Sequence, residues 1–109
     1  MAHRARYREI ITHYRKLGQN SFGPVYDDDG EVCKGYVEPS SRRIVSADGA
    51  EVTSSFYAEL GPETEDRVDV GDKAVWKGKE YVVLSVNPIR PKAKTDHLEV
   101  YYGPFGESG

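Results

Sequence analysis

At 109 residues and a formal net charge of −3, the chain has the length of one small domain and lacks the basic surplus of a dedicated nucleic-acid binder. One cysteine, Cys33, excludes an internal disulfide framework, and no segment approaches the roughly 20 apolar residues of a spanning helix. Eight Tyr, three Phe and one Trp, set against a mean hydropathy of −0.66, argue against disorder, because aromatic rings supply large buried area to a thin core.

The N-terminus, "MAHRARYREII", has no apolar run of the length a signal peptide requires, so the expected site of synthesis is the cytoplasm. Arg4, Arg6 and Arg8 alternate in a candidate arm, and residues 1–6 are expected to be flexible. "REIITHYRK" reads as a strand through its β-branched and aromatic residues. A helix over Arg4 to Lys16 is the rival, since Tyr7, Ile10, Ile11 and Tyr14 also fit i, i+3, i+4, i+7.

"GQNSFGPVYDDDGE" is turn-rich and reads as a loop, and "EVCKGYVE" as a strand with a bulge at Gly35. Glu38 to Gly49 forms a long loop. Within it Arg42 to Ser46 pairs through Ala47-Asp48-Gly49 with residues 50–60, whose even positions Ala, Val, Ser, Phe, Ala, Leu follow the period of a half-buried strand.

Val68 and Val70 lead into Gly71-Asp72, a turn in which the Asp side chain can accept nearby backbone N–H groups. Lys73 to Trp76 and Lys79 to Val86 form a hairpin through Lys77-Gly78, where Gly78 supplies positive φ. Ala74 then faces Tyr81 and Trp76 faces Lys79, with Val82, Leu84 and Val86 on the opposite face of a central strand. "NPIRPKAKTD" is a basic loop, "HLEVYYG" is the last strand with Leu98, Val100 and Tyr102 on one face, and residues 103–109 are expected to be flexible. The pattern predicts a mainly β chain: a single small antiparallel β-barrel or sandwich with long loops.

Chemistry is sparse. If Gly30 of "DDDGE" is aligned with the EF-hand glycine, Val25 falls at the first ligand position and Tyr36 at the last, so that motif fails. His3, His13, His97 and Cys33 lack metal-ligand spacing, and "EVCKGY" surrounds Cys33 with strand residues, as for a buried apolar thiol. Glu59, Glu63, Glu65, Asp66, Asp69 and Asp72 form no recognisable acid–base pair, and no glycine-rich phosphate loop is present. No catalytic residue, metal or cofactor is expected. The contact candidates are basic: Arg42 and Arg43 beside Ser40 and Ser41, and Arg90, Lys92 and Lys94 in the later loop.

The order of elements, with Val68, Gly71-Asp72, Ala74, Gly78, Tyr81 and Val83 as its motif, resembles the head-tail connector proteins of tailed bacteriophages, closest to the head-closure or stopper type. The likeness spans residues 50–102. It implies a ring of subunits in the virion, at the head-tail interface, between a portal-bound adaptor and a tail-terminator or tail-tube protein. It also implies an extended loop in the channel that helps retain packaged DNA through transient, unspecific contact. Glu38 to Gly49 corresponds to that loop, with Arg42 and Arg43 facing the lumen or a sister subunit, and Gly71, Asp72 and Gly78 acting as scaffold turns. The alternatives are a tail-terminator type of neck protein, an SH3-like binding module for a protein or nucleic acid, and an enzyme of unrecognised class.

Overall fold

A computed structural model describes residues 7–45 and 49–106. Among these, ten strands run β1 (Glu9–Tyr14), β2 (Lys16–Asn20), β3 (Gly23–Tyr26), β4 (Glu31–Pro39), β5 (Arg43–Val45), β6 (Glu51–Thr53), β7 (Phe56–Leu60), β8 (Lys73–Trp76), β9 (Lys79–Ile89) and β10 (His97–Pro104), with a 3-10 helix at Pro62–Arg67. Six strands close into an antiparallel barrel in the order β1-β4-β7-β10-β9-β8, while β2–β3 and β5–β6 stand apart as two-stranded hairpins. The first segment is therefore a strand. Ile11 and His13 are buried and Ile10 is 55 % exposed, an alternation of period two that a helix would not produce.

The barrel core takes alternate residues: Ile11 from β1, Cys33 from β4, Phe56, Ala58 and Leu60 from β7, Leu98, Val100 and Tyr102 from β10. Antiparallel neighbours send successive connections to opposite ends. One end carries the β5–β6 hairpin and the Lys77-Gly78 turn; the other carries the β2–β3 hairpin, the 3-10 helix and the β9–β10 loop. The two hairpin arms thus leave the barrel from opposite ends. We call these the turn end and the helix end.

The β8–β9 hairpin has the expected register, Ala74 opposite Tyr81 and Trp76 opposite Lys79, with φ of 51° at Lys77 and 78° at Gly78. Both values are positive, as a tight turn matching strand twist requires. At the other scaffold turn Gly71 has φ 96°, and the buried Asp72 carboxylate accepts the Asp69 N–H at 2.9 Å and the Lys16 N–H at 3.0 Å. That carboxylate fixes both its own turn and the root of the β2–β3 arm.

Four details depart from the sequence reading. Gly35 lies in continuous register with Glu9 and Leu60, with no bulge; a Cβ there would stand 2.6 Å from Leu60 Cδ2, so glycine serves close strand packing. The bulge lies instead in β9, where Tyr101 pairs Ser85 but Tyr102 pairs Val83, leaving Leu84 as the extra residue. Beyond it the faces exchange, so Val86 packs with Val83 against the core rather than with Val82 and Leu84.

Residues 50–60 form two strands in different sheets, split at Ser54, because Ser54 bonds back to the Arg42 backbone. The turn-rich stretch read as a loop contains the β2–β3 hairpin. β10 includes Gly103 and Pro104, and the Phe105 ring meets Tyr26 at 5.8 Å. The Lys73 ammonium lies 4.9 Å from the Tyr14 ring, 5.6 Å from Tyr26 and 5.9 Å from Phe105, which joins the arm root to the last strand. Residues 1–6, 46–48 and 107–109, including Arg4, Arg6 and most of the Ala47-Asp48-Gly49 turn, lie outside the described residues.

Candidate functional site

The turn end gathers the first set of candidates. Ser40 is part of the arm's root: its hydroxyl lies 3.0 Å from that of Ser54, which also accepts the Arg42 N–H at 3.0 Å. Ser54 is 3 % exposed, so this small buried polar knot clamps the β5–β6 hairpin onto the barrel. Ser41 is exposed.

Arg42 turns back. Its guanidinium lies 5.1 Å over the Tyr101 ring and donates to the Tyr101 hydroxyl at 3.1 Å. Arg43 stands on β5 with its side chain 79 % exposed, beside Glu51 at 3.9 Å. Both arginines are exposed, Arg42 resting on Tyr101 and Arg43 standing beside Glu51.

The second basic loop is at the helix end. Arg90 is engaged there: it pairs with Glu65 of the 3-10 helix and donates to Thr95 Oγ1 at 2.9 Å, while Lys92 and Lys94 are exposed. The two basic groups thus occupy opposite ends of the barrel and form no common patch.

A groove that residue patterns did not single out opens at the turn end. Its volume is about 280 Å³, and Val37, Pro39, Phe56, Trp76 and Tyr81 supply apolar walls, with Glu9, Ser55 and Lys77 at polar points. Phe56 meets Trp76 at 4.7 Å and Tyr81 edge-on at 4.8 Å. Trp76 Nε1 donates to Glu9 Oε1 at 3.0 Å, and the Lys77 ammonium stands 4.9 Å over the same indole. Such a site suits one apolar or aromatic side chain of a partner. The usable signal was the single tryptophan in a hydrophilic chain, one residue before a hairpin turn.

Charge on the outer face of β7 and β10 is organised around His97. Its Nδ1 lies 2.8 Å from Asp96, and its Nε2 lies 3.7 Å from both Glu59 and Glu99. Glu59 also accepts the Tyr7 hydroxyl at 2.7 Å, and Glu99 the Tyr57 hydroxyl at 3.5 Å. Burial, then the neighbouring Glu99 and Glu59, push the Tyr57 phenol well above its ordinary range, so it stays a neutral donor. Among the described residues no group of three or more His, Cys, Asp or Glu side chains is arranged to hold a metal ion. Burial pushes the Cys33 thiol up to about 11, the condition of an inert core thiol rather than a nucleophile.

No family model and no curated protein matches this chain. Among solved structures it is similar to the phage-like element PBSX protein xkdH from Bacillus subtilis, at 19 % identity and a TM-score of 0.53, over 89 % of this chain and 93 % of that one. At this identity the likeness is one of fold. At 89 % of the chain it reaches into the N-terminal third, beyond the span in which sequence motifs were recognisable.

Proposed function

We propose that the chain is a structural protein of a phage-like particle, working in the neck as a ring that joins the head to the tail. The observation that carries this reading is the barrel with two hairpin arms leaving from opposite ends. A closed barrel has no free edge of its own, so it is a rigid body, and arms on both ends let one subunit engage neighbours on two sides. The fold shared with xkdH, a protein of a phage-like element, supports the same reading.

In this role the β5–β6 arm faces the channel or a sister subunit, and Arg43 makes the transient phosphate contacts with packaged DNA. A net negative protein suits that task, since tight phosphate binding would hinder ejection. The remaining partners are a portal-bound adaptor on one side and a tail-terminator or tail-tube protein on the other.

One observation favours a second reading. The Trp76 groove is of a size and lining that small SH3-like barrels use to hold peptide side chains. Native mass spectrometry separates the two. A connector forms a closed multimer or joins purified portal and tail complexes; a chain that stays monomeric and enters neither complex overturns the neck reading.

A further inference from the structure

The β2–β3 arm is built in a way that its own fold does not use. All five residues of β2 are exposed, and the arm contacts the barrel only through its root. Its apolar residues point to solvent: Leu17 is 61 % exposed, Val25 37 %, and Phe22, in the turn at the tip, 97 %. The Phe22 backbone is fixed in place, because its N–H donates to Asn20 Oδ1 at 2.8 Å and the next residue, Gly23, has φ 117°. An ordered turn that holds a phenyl ring in water is a ready-made aromatic anchor.

The complement lies on the same chain at the opposite end. The groove of Phe56, Trp76 and Tyr81 has the volume for one ring and offers aromatic and aliphatic walls. We infer that Phe22 of one copy docks in the Trp76 groove of the next, a head-to-tail contact between the helix end of one barrel and the turn end of its neighbour. The arm from Leu17 to Val25 carries no charged side chain, so the docking ring brings no charge toward Lys77 in the lining. Glu9, the carboxylate in the lining, is already engaged by Trp76. Two different surfaces meet in this contact, so repeating it yields a ring when the rotation closes. The inference rests on the ring reading above and names the surfaces that would form the ring.

The test uses disulfide trapping in the full chain, where buried Cys33 stays silent. Chains carrying Ser21→Cys, which keep the Phe22 ring, are mixed under mild oxidation with chains carrying Ser55→Cys, at an exposed position lining the groove, or Lys34→Cys, on the exposed side of β4. The contact requires the Ser21–Ser55 pair to link at least ten times faster than the Ser21–Lys34 pair; equal rates overturn it. A Phe22→Asp chain, altered only at an exposed tip, should associate about 30-fold more weakly by sedimentation, the loss expected of a central aromatic anchor. If wild-type chains form rings and Phe22→Asp chains form them equally well, this contact is wrong and the ring reading stands. If neither rings nor selective linking appear, both fall.

Discussion

His13 Nε2 and the Tyr102 hydroxyl, 89 residues apart in sequence, meet at 2.7 Å inside the barrel, and both side chains are essentially sealed from water. His13 Nδ1 has no hydrogen-bond partner there. The pair is thus a polar joint between β1 and β10 whose imidazole must remain neutral. Burial lowers the His13 pKa from 6.5 to about 4.

Acid should therefore weaken the fold before ordinary carboxylates titrate. Below about pH 6.5 the unfolded chain takes up a proton that the folded chain refuses, so stability falls as pH drops from about 6.5 to about 4, by roughly 3 kcal/mol in full. Burial raises the Asp72 pKa, despite the bonds from Lys16 and Asp69 that lower it; that group gains stability as pH falls through its folded range and offsets part of the loss. Urea midpoints at pH 7.5, 6 and 5 should decline in that order. A flat profile contradicts a buried neutral His13.

Gly35→Ala places a methyl group 2.6 Å from Leu60 Cδ2 and 3.0 Å from the Glu59 carbonyl oxygen. The expected cost is about 1–3 kcal/mol, as for overpacking elsewhere. Adding Leu60→Val should recover part of it in denaturant titrations, because the side chain yields where the backbone oxygen does not.

Asp72→Ala removes the acceptor of two backbone N–H groups, on Asp69 and Lys16. A loss of about 1–3 kcal/mol is expected, with a local signature. Hydrogen exchange at the Lys16 amide and at the arm's paired amides should accelerate more than exchange in β7 or β10.

Cys33 should react slowly with a thiol reagent in the folded chain. A pKa moved from 9.0 to about 11 leaves about 100-fold less thiolate at a given pH, before access is considered. Unfolding in urea should restore ordinary reactivity; fast labelling of the native protein would contradict the buried site.

Ser54→Ala removes the hydroxyl that meets Ser40 and the Arg42 N–H. The barrel should lose only about 1 kcal/mol, while the β5–β6 arm loosens at its root. In particles assembled with this variant, leakage of packaged DNA measured by nuclease sensitivity should rise if the arm works in the channel.

The barrel was legible in the sequence wherever one strand face met the core, because a period of two survives without knowledge of partners. Leu98, Val100, Tyr102 and the Ala74–Tyr81 register are of this kind. The two turns were legible through Gly71-Asp72 and Lys77-Gly78. Features that depend on a second strand were hidden. The β9 bulge at Leu84 exists only relative to β10, and the close approach at Gly35 only relative to Leu60. The β2–β3 arm escaped notice because short polar strands that bury nothing carry no alternation, and "GQNSFGPVY" reads as turn after turn. Among the basic candidates, residue type foretold charge but not engagement: all five are exposed, yet Arg42 also bonds Tyr101, Arg90 bonds Glu65 and Arg43 stands beside Glu51.

Closure of the barrel has a further consequence for growth. Each of its six strands has a partner on both sides, although some of the ladders, such as β1–β8 at Thr12–Tyr14, cover only part of a strand. Among the described residues, the strands with a partner on one side alone are those of the two hairpins. A sheet that continues from one copy into another therefore finds a whole open strand side on β2, β3, β5 or β6, and growth from these leaves the rungs of the barrel's own ladder in place.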